Sequence, residues 1–98
     1  MIDSFGNRAA RQIWESGYAK DIPALIHGRA LALLKIMHAV NSLAEIKHLG
    51  EPLSVRLHKL KGDRKDQWSL TIELPWAIAF RIEDGKFTNV SIENYHKG

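Results

Sequence analysis

His58, Lys61, Arg64, Arg81, Tyr95 and His96 are side chains of the types that move protons and hold phosphates. Cleaving RNA without a metal needs few parts. The substrate's own 2′-hydroxyl is the nucleophile, a base takes its proton, and an acid protonates the leaving 5′-oxygen. Cations stabilise the extra charge on the phosphorane-like transition state. An aromatic ring can hold a splayed base by stacking. The same residues also have plainer explanations. His58 on a strand face reads as a surface histidine, Lys61 and Arg64 as solvated turn residues, and Tyr95 as packing over a sheet edge. His96 would then be frayed, and Arg81 beside Glu83 would form a weak surface ion pair.

Charge distribution favours an anionic partner. The net charge is +3, but the segment from Arg56 to Lys65 alone holds five Lys or Arg, one Asp and His58. A local block of this kind suits a polyanion such as RNA, because each neutralised phosphate releases counterions. Other chemistries are excluded. The chain has no cysteine, so a disulfide scaffold, a thiolate zinc site and a cysteine nucleophile are ruled out. It contains no Gly-rich phosphate loop opening a helix, no His-Glu-x-x-His and no Gly-x-Ser-x-Gly. The histidines lack metal-ligand spacing and no acidic cluster would hold magnesium. Chemistry without a metal or cofactor is therefore expected.

The elements that must position these residues follow from periodicity. A length of 98 residues suits one domain, taken as 1–98. The acidic start lacks the apolar region of a secretory signal, and no stretch approaches the roughly 20 residues of a membrane span. A soluble cytoplasmic protein is expected. After a short initial strand, Ala10, Ile13, Trp14 and Gly17 follow helical spacing, with Gly17 as the stop. Pro23 can open a second helix, with Ile26, Ala30, Leu33, Leu34, Met37 and Asn41 on one face. Ser42 and Glu45 can cap one further turn.

From residue 53 the period changes to two. The runs Leu53–His58, Trp68–Leu74, Trp76–Glu83 and Thr88–Glu93 read as half-buried strands. Trp68 and Trp76 fall on the apolar alternation and are expected in the core. Gly62 to Asp66 forms one loop, Pro75 marks a bend, and Asp84-Gly85 is a hairpin turn. Short loops imply an antiparallel meander carrying the helices on its apolar face. The alternation puts Arg56, His58, Ser69, Thr71, Glu73, Ala77, Ala79 and Arg81 on the other face.

The string Arg56-Leu57-His58-Lys59-Leu60-Lys61-Gly62-Asp63-Arg64-Lys65-Asp66-Gln67-Trp68-Ser69-Leu70 closely resembles the HigB branch of the RelE toxin superfamily, the plasmid-maintenance killer proteins. The opening Met1-Ile2-Asp3-Ser4-Phe5, the strand Pro75-Trp76-Ala77-Ile78-Ala79-Phe80 and the ending Glu93-Asn94-Tyr95-His96 also resemble that family. The resemblance spans essentially the whole chain. It implies an α+β, RelE-like fold: two N-terminal helices on a curved, mainly antiparallel sheet of four to five strands. It implies a toxin of a type II toxin–antitoxin system that cuts messenger RNA in the ribosomal A site without metal. The implied partners are a helix-turn-helix antitoxin, the ribosome with its messenger RNA, and operator DNA only through the antitoxin. Carried over by position, His58, Lys61, Tyr95 and His96 would be catalytic. Arg56, Arg64, Lys65 and Arg81 would bind RNA, with Arg81 matching an arginine found in only some members.

Two departures bear on activity. The family strand usually carries arginine directly after the tryptophan, where this chain has Ala77, and usually has Asp where this chain has Asn94. Losing one transition-state donor of this kind typically costs about 100- to 1,000-fold in rate. Asn94 can neither accept a proton nor raise the basicity of a neighbouring histidine as a carboxylate would. Ala77 is either natural divergence in a weak toxin or a detoxifying arginine-to-alanine change. The alternative function is therefore a RelE-fold protein that binds the ribosome or its antitoxin with weak or no cleavage.

Overall fold

The computed structural model describes residues 1–48 and 57–94. Within them, helices α1 (Arg8–Ser16), α2 (His27–Ala39) and α3 (Leu43–His48) precede strands β1 (Leu57–Lys59), β2 (Trp68–Glu73), β3 (Trp76–Glu83) and β4 (Lys86–Asn94). The strands form one sheet in the order β1-β2-β3-β4, each antiparallel to the next. The α+β architecture expected from the sequence is the one observed, with α3 as a third helix. Among the described residues, no helix is long and apolar enough to cross a membrane.

Local signals account for the helix limits. Asn7 caps α1, its Oδ1 accepting from the Ala10 amide at 3.0 Å. The Asn7 amide also donates to the Ile92 carbonyl at 2.9 Å, which ties the helix start to β4. Gly17 ends α1 at φ 77°, donating to the Ile13 carbonyl at 2.8 Å. A left-handed stop of this kind favours glycine because no Cβ meets the backbone. Pro23 opens a 3-10 turn, Ala24–Ile26, that runs into α2. Ile26, Ala30, Leu33, Leu34 and Met37 are buried as their spacing predicts, whereas Asn41 lies beyond the helix end and is exposed. Ser42 accepts from the Glu45 amide at 3.2 Å, and Glu45 reaches back to the Asn41 amide at 3.2 Å.

The expected first strand is reduced to two parallel bridges, Ile2 to Phe87 and Phe5 to Val90. Just after the second bridge the chain runs so close to β4 that a Cβ on Gly6 would sit 2.3 Å from Ser91 Oγ. The helices and this strap enclose a core of Ile13, Leu34, Met37, Ile46, Leu70, Ile72, Ile78, Phe80, Phe87 and Val90, among others. Trp68 and Trp76 pack against it half-buried, at its margin rather than inside it.

Two bulges alter the strand reading. Thr71 pairs with Ala77 but Glu73 pairs with Trp76, so β2 carries an extra residue. Glu73 is thereby turned towards the helices, where Arg29 of α2 stands 4.0 Å away. The expected place of Glu73 on the far face is corrected. A second bulge lies between the Ala79–Ser91 and Arg81–Thr88 pairs. It is absorbed in β4 beside Asn89, which sits at φ 51°, a conformation that Asn tolerates better than most residues. Phe87, opposite Ile82, therefore enters the core, and Thr88, opposite Arg81, does not.

Candidate active site

The face of the sheet away from the helices is built from short side chains. His58, Ser69, Ala79 and Ser91 are successive cross-strand partners and form one row. Thr71, Ala77 and Glu93 form the row two residues further along. Ser69, Ala77 and Ala79 are 0%, 1% and 2% exposed, although they lie outside the helix-side core.

Arg64 bridges this side of the sheet. The β1–β2 connection closes with Leu60 donating to the Gln67 carbonyl at 2.9 Å, and a 3-10 turn at Gly62–Arg64 folds it compactly. From that turn Arg64 makes a bidentate pair with Glu93 of β4, at 2.8 and 2.9 Å. The same guanidinium donates to Gln67 Oε1 at 2.8 Å. The loop joins the sheet beside Trp68, and Glu93 lies opposite Ala77. To connect them, Arg64 must pass over the Ser69–Ala79 row and cross two strand spacings, about 10 Å. The small residues are the floor, and the Arg64–Glu93 pair is a strut across it.

The remaining site residues divide by position. His58 is exposed on β1, and Lys61 and Lys65 are exposed at the two ends of the 3-10 turn. Arg81 is half-buried and pairs with Asp66 Oδ2 at 3.0 Å, so the expected pairing with Glu83 is replaced by one to the loop. His58, Lys61, Arg64, Lys65 and Arg81 thus belong to one face and the loop that folds over it. Arg56, Tyr95 and His96 lie outside the described residues; β4 ends at Asn94, opposite Trp76, immediately before Tyr95. Among the described residues, no three His, Asp or Glu side chains converge as metal ligands would.

Sequence reasoning missed Glu93, Gln67 and Asp66 as partners of the arginines. Asp66 and Gln67 flank the basic run and were legible as counter-charges and acceptors. Glu93 was not, because a regular hairpin counted from Asp84-Gly85 places Ile92 opposite Ala77, and only the bulge at Asn89 brings Glu93 there. Among the described residues, three buried polar atoms on this face have no hydrogen-bond partner: Ser69 Oγ, Arg81 Nε and Thr88 Oγ1. On the other side of the molecule, a cleft of about 330 Å³ lies between Tyr18, Pro23, His27 and Trp76. Its histidine is already committed, Nε2 lying 2.9 Å from the Ala19 carbonyl and 2.7 Å from that of Ile22. None of the described site residues predicted from the sequence lines it.

Comparison with known proteins agrees with the fold. A family model described as RelE-like toxin of type II toxin–antitoxin system HigB matches residues 3–96. The chain is similar to the Endoribonuclease HigB of Proteus vulgaris, with 32% identity over 96 residues, 98% of this chain and 100% of that protein. With nearly the full length matched on both sides, the chain belongs to the HigB-type family of RelE-like toxins of type II toxin–antitoxin systems.

Proposed function

We propose that this chain is a ribosome-dependent endoribonuclease that cuts messenger RNA in the A site without a metal, and so inhibits translation in the cytoplasm. The observation that carries the reading is the gathering of His58, Lys61, Arg64, Lys65 and Arg81 on one face and its covering loop, in a chain whose whole length matches a HigB family. In this reading the substrate 2′-oxygen attacks phosphorus and the bond to the 5′-oxygen breaks. The products are a 2′,3′-cyclic phosphate and a free 5′-hydroxyl. His58, Lys61 and His96 supply the proton transfers, and Tyr95 holds the base or positions it. Arg56, Arg64, Lys65 and Arg81 contact the phosphates. A helix-turn-helix antitoxin holds the toxin inactive, and operator DNA is met only through that antitoxin.

A second reading has specific support. Ala77 supplies no cation to the floor, Asn94 supplies no carboxylate, and Arg64 and Arg81 are held by Glu93 and Asp66. A chain of this kind binds the ribosome or its antitoxin and cuts weakly or not at all. Primer-extension mapping on ribosomes paused on a defined messenger separates the two. Cuts within the A-site codon, lost in His58→Ala and His96→Ala, support the nuclease. Ribosome binding without cuts supports the second reading, and cuts that survive both substitutions remove the site assignment.

A further inference from the structure

The three ion pairs among the described residues all use arginine: Arg29 with Glu73, Arg64 with Glu93 and Arg81 with Asp66. Lys47, Lys59, Lys61 and Lys65 have no carboxylate partner among the described residues. Two of these lysines are gathered at one ring. Lys59 and Trp68 are cross-strand partners, and the Lys59 ammonium lies 5.5 Å from the indole centroid. Lys47, in the last turn of α3, brings a second ammonium to 5.5 Å from the same centroid. The ring attracts each cation through its quadrupole. It also restricts two flexible side chains that would otherwise spread apart, and no acid among the described residues forms an ion pair with either.

Placement gives this pair of charges a direction. Trp68 packs against the helix-side core, whereas His58 stands beside Ser69 on the opposite face. His58 and Lys59 are consecutive and so point to opposite sides of β1. Basic groups therefore wrap the margin of the sheet, from Lys61 and Lys65 in the loop, past His58, to Lys59 and Lys47. A strand of RNA held at His58 and followed over β1 meets the second pair next.

We propose that Lys47, Lys59 and Trp68 form a separate contact for the RNA phosphodiester backbone, on the helix side of the sheet. The proposal rests on the reading that this chain works on RNA. The indole serves here as a platform for cations rather than for a base, so the contact is independent of nucleotide sequence. Messenger and ribosomal RNA present the same chemistry, and the test has an arm for each.

The experiment measures affinity against salt for the full chain, using a labelled single-stranded RNA oligonucleotide in one arm and vacant ribosomes in the other. Removing two phosphate contacts in the double variant Lys47→Gln/Lys59→Gln should lower the log–log salt slope for single-stranded RNA by about 1.4. Lys47→Arg/Lys59→Arg should restore it. A loss confined to the oligonucleotide arm assigns the contact to messenger, and one confined to the ribosome arm assigns it to ribosomal RNA. Slopes unchanged in both arms overturn the proposal, as does a wild-type affinity that ignores salt. A-site cleavage scored on the same proteins keeps the two readings apart. Wild-type cutting with unchanged slopes removes this contact alone, whereas a lowered slope without wild-type cutting removes the nuclease reading alone. Circular dichroism confirms that the variants are folded.

Discussion

On the helix side of the sheet, Leu70, Ile78, Phe80 and Phe87 are fully buried among Leu34, Met37 and Ile46, with Phe80 and Phe87 edge to face at 5.2 Å. On the other side, Ser69, Ala77 and Ala79 are buried just as completely, under an ion pair whose partners are 38% and 29% exposed. The first arrangement is closed by dispersion and the removal of apolar surface from water. The second is crossed by a charged strut from the β1–β2 loop to β4. Apolar packing cannot be exchanged for solvent without loss, but a half-exposed guanidinium can exchange one anion for another. The contrast suits the proposed function, in which one face stays shut and the other meets phosphates.

Phe80→Ala tests the closed face and should have the largest effect. It removes a fully buried ring and should cost about 3–5 kcal/mol in urea unfolding. A loss under about 1 kcal/mol would mean that the helix-side core does not hold the fold. Next is Ala77→Arg, which puts a cation on the floor. Cleavage per folded molecule should rise by about 100-fold if a missing donor limits the chemistry, with ribosome-dependent primer extension as the readout. No rise at all removes the idea of a missing catalytic cation.

Smaller effects sharpen the comparison. Arg64→Ala should destabilise by about 1–2 kcal/mol, short of the fully buried case because water still reaches both partners. A double-mutant cycle with Glu93→Gln in chemical denaturation should show coupling between them, and strict additivity would dissolve the strut. Ser69→Ala should be the mildest. Its hydroxyl is buried without a partner, so removal should be neutral or stabilising by less than about 1 kcal/mol. A clear loss of thermal stability would show that the hydroxyl has a partner in solution.

Most of the fold was legible in the sequence because its signals are local. Gly17, Pro23, Ser42 with Glu45, and Asp84-Gly85 each act within a few residues, and each marks a boundary where expected. What the alternation could not supply was where its own phase slips. Bulges near Glu73 and Asn89 change which residues face each other, and neither position announces an extra residue. The site was legible as a set of residue types on one face and its rim. Its internal pairing was not, since Arg64 meets a carboxylate 29 positions away. Lys47 was overlooked for the same reason, because only tertiary packing brings α3 to Trp68.

The strap at Ile2 and Phe5 sets an order of events for the chain. Neighbouring strands pair in sequence order, so each hairpin of the meander can form from nearby residues as they become available. The bridges of Ile2 to Phe87 and Phe5 to Val90 join residues 85 apart. Asn7, which starts α1, also needs the backbone of Ile92. Synthesis runs from the N-terminus, so these contacts wait for β4. Until β4 has emerged, the helices have neither Phe87 nor Val90 to pack on, and the site has no Glu93 to hold Arg64. The nascent toxin is therefore incomplete in fold and in site until β4 has been made.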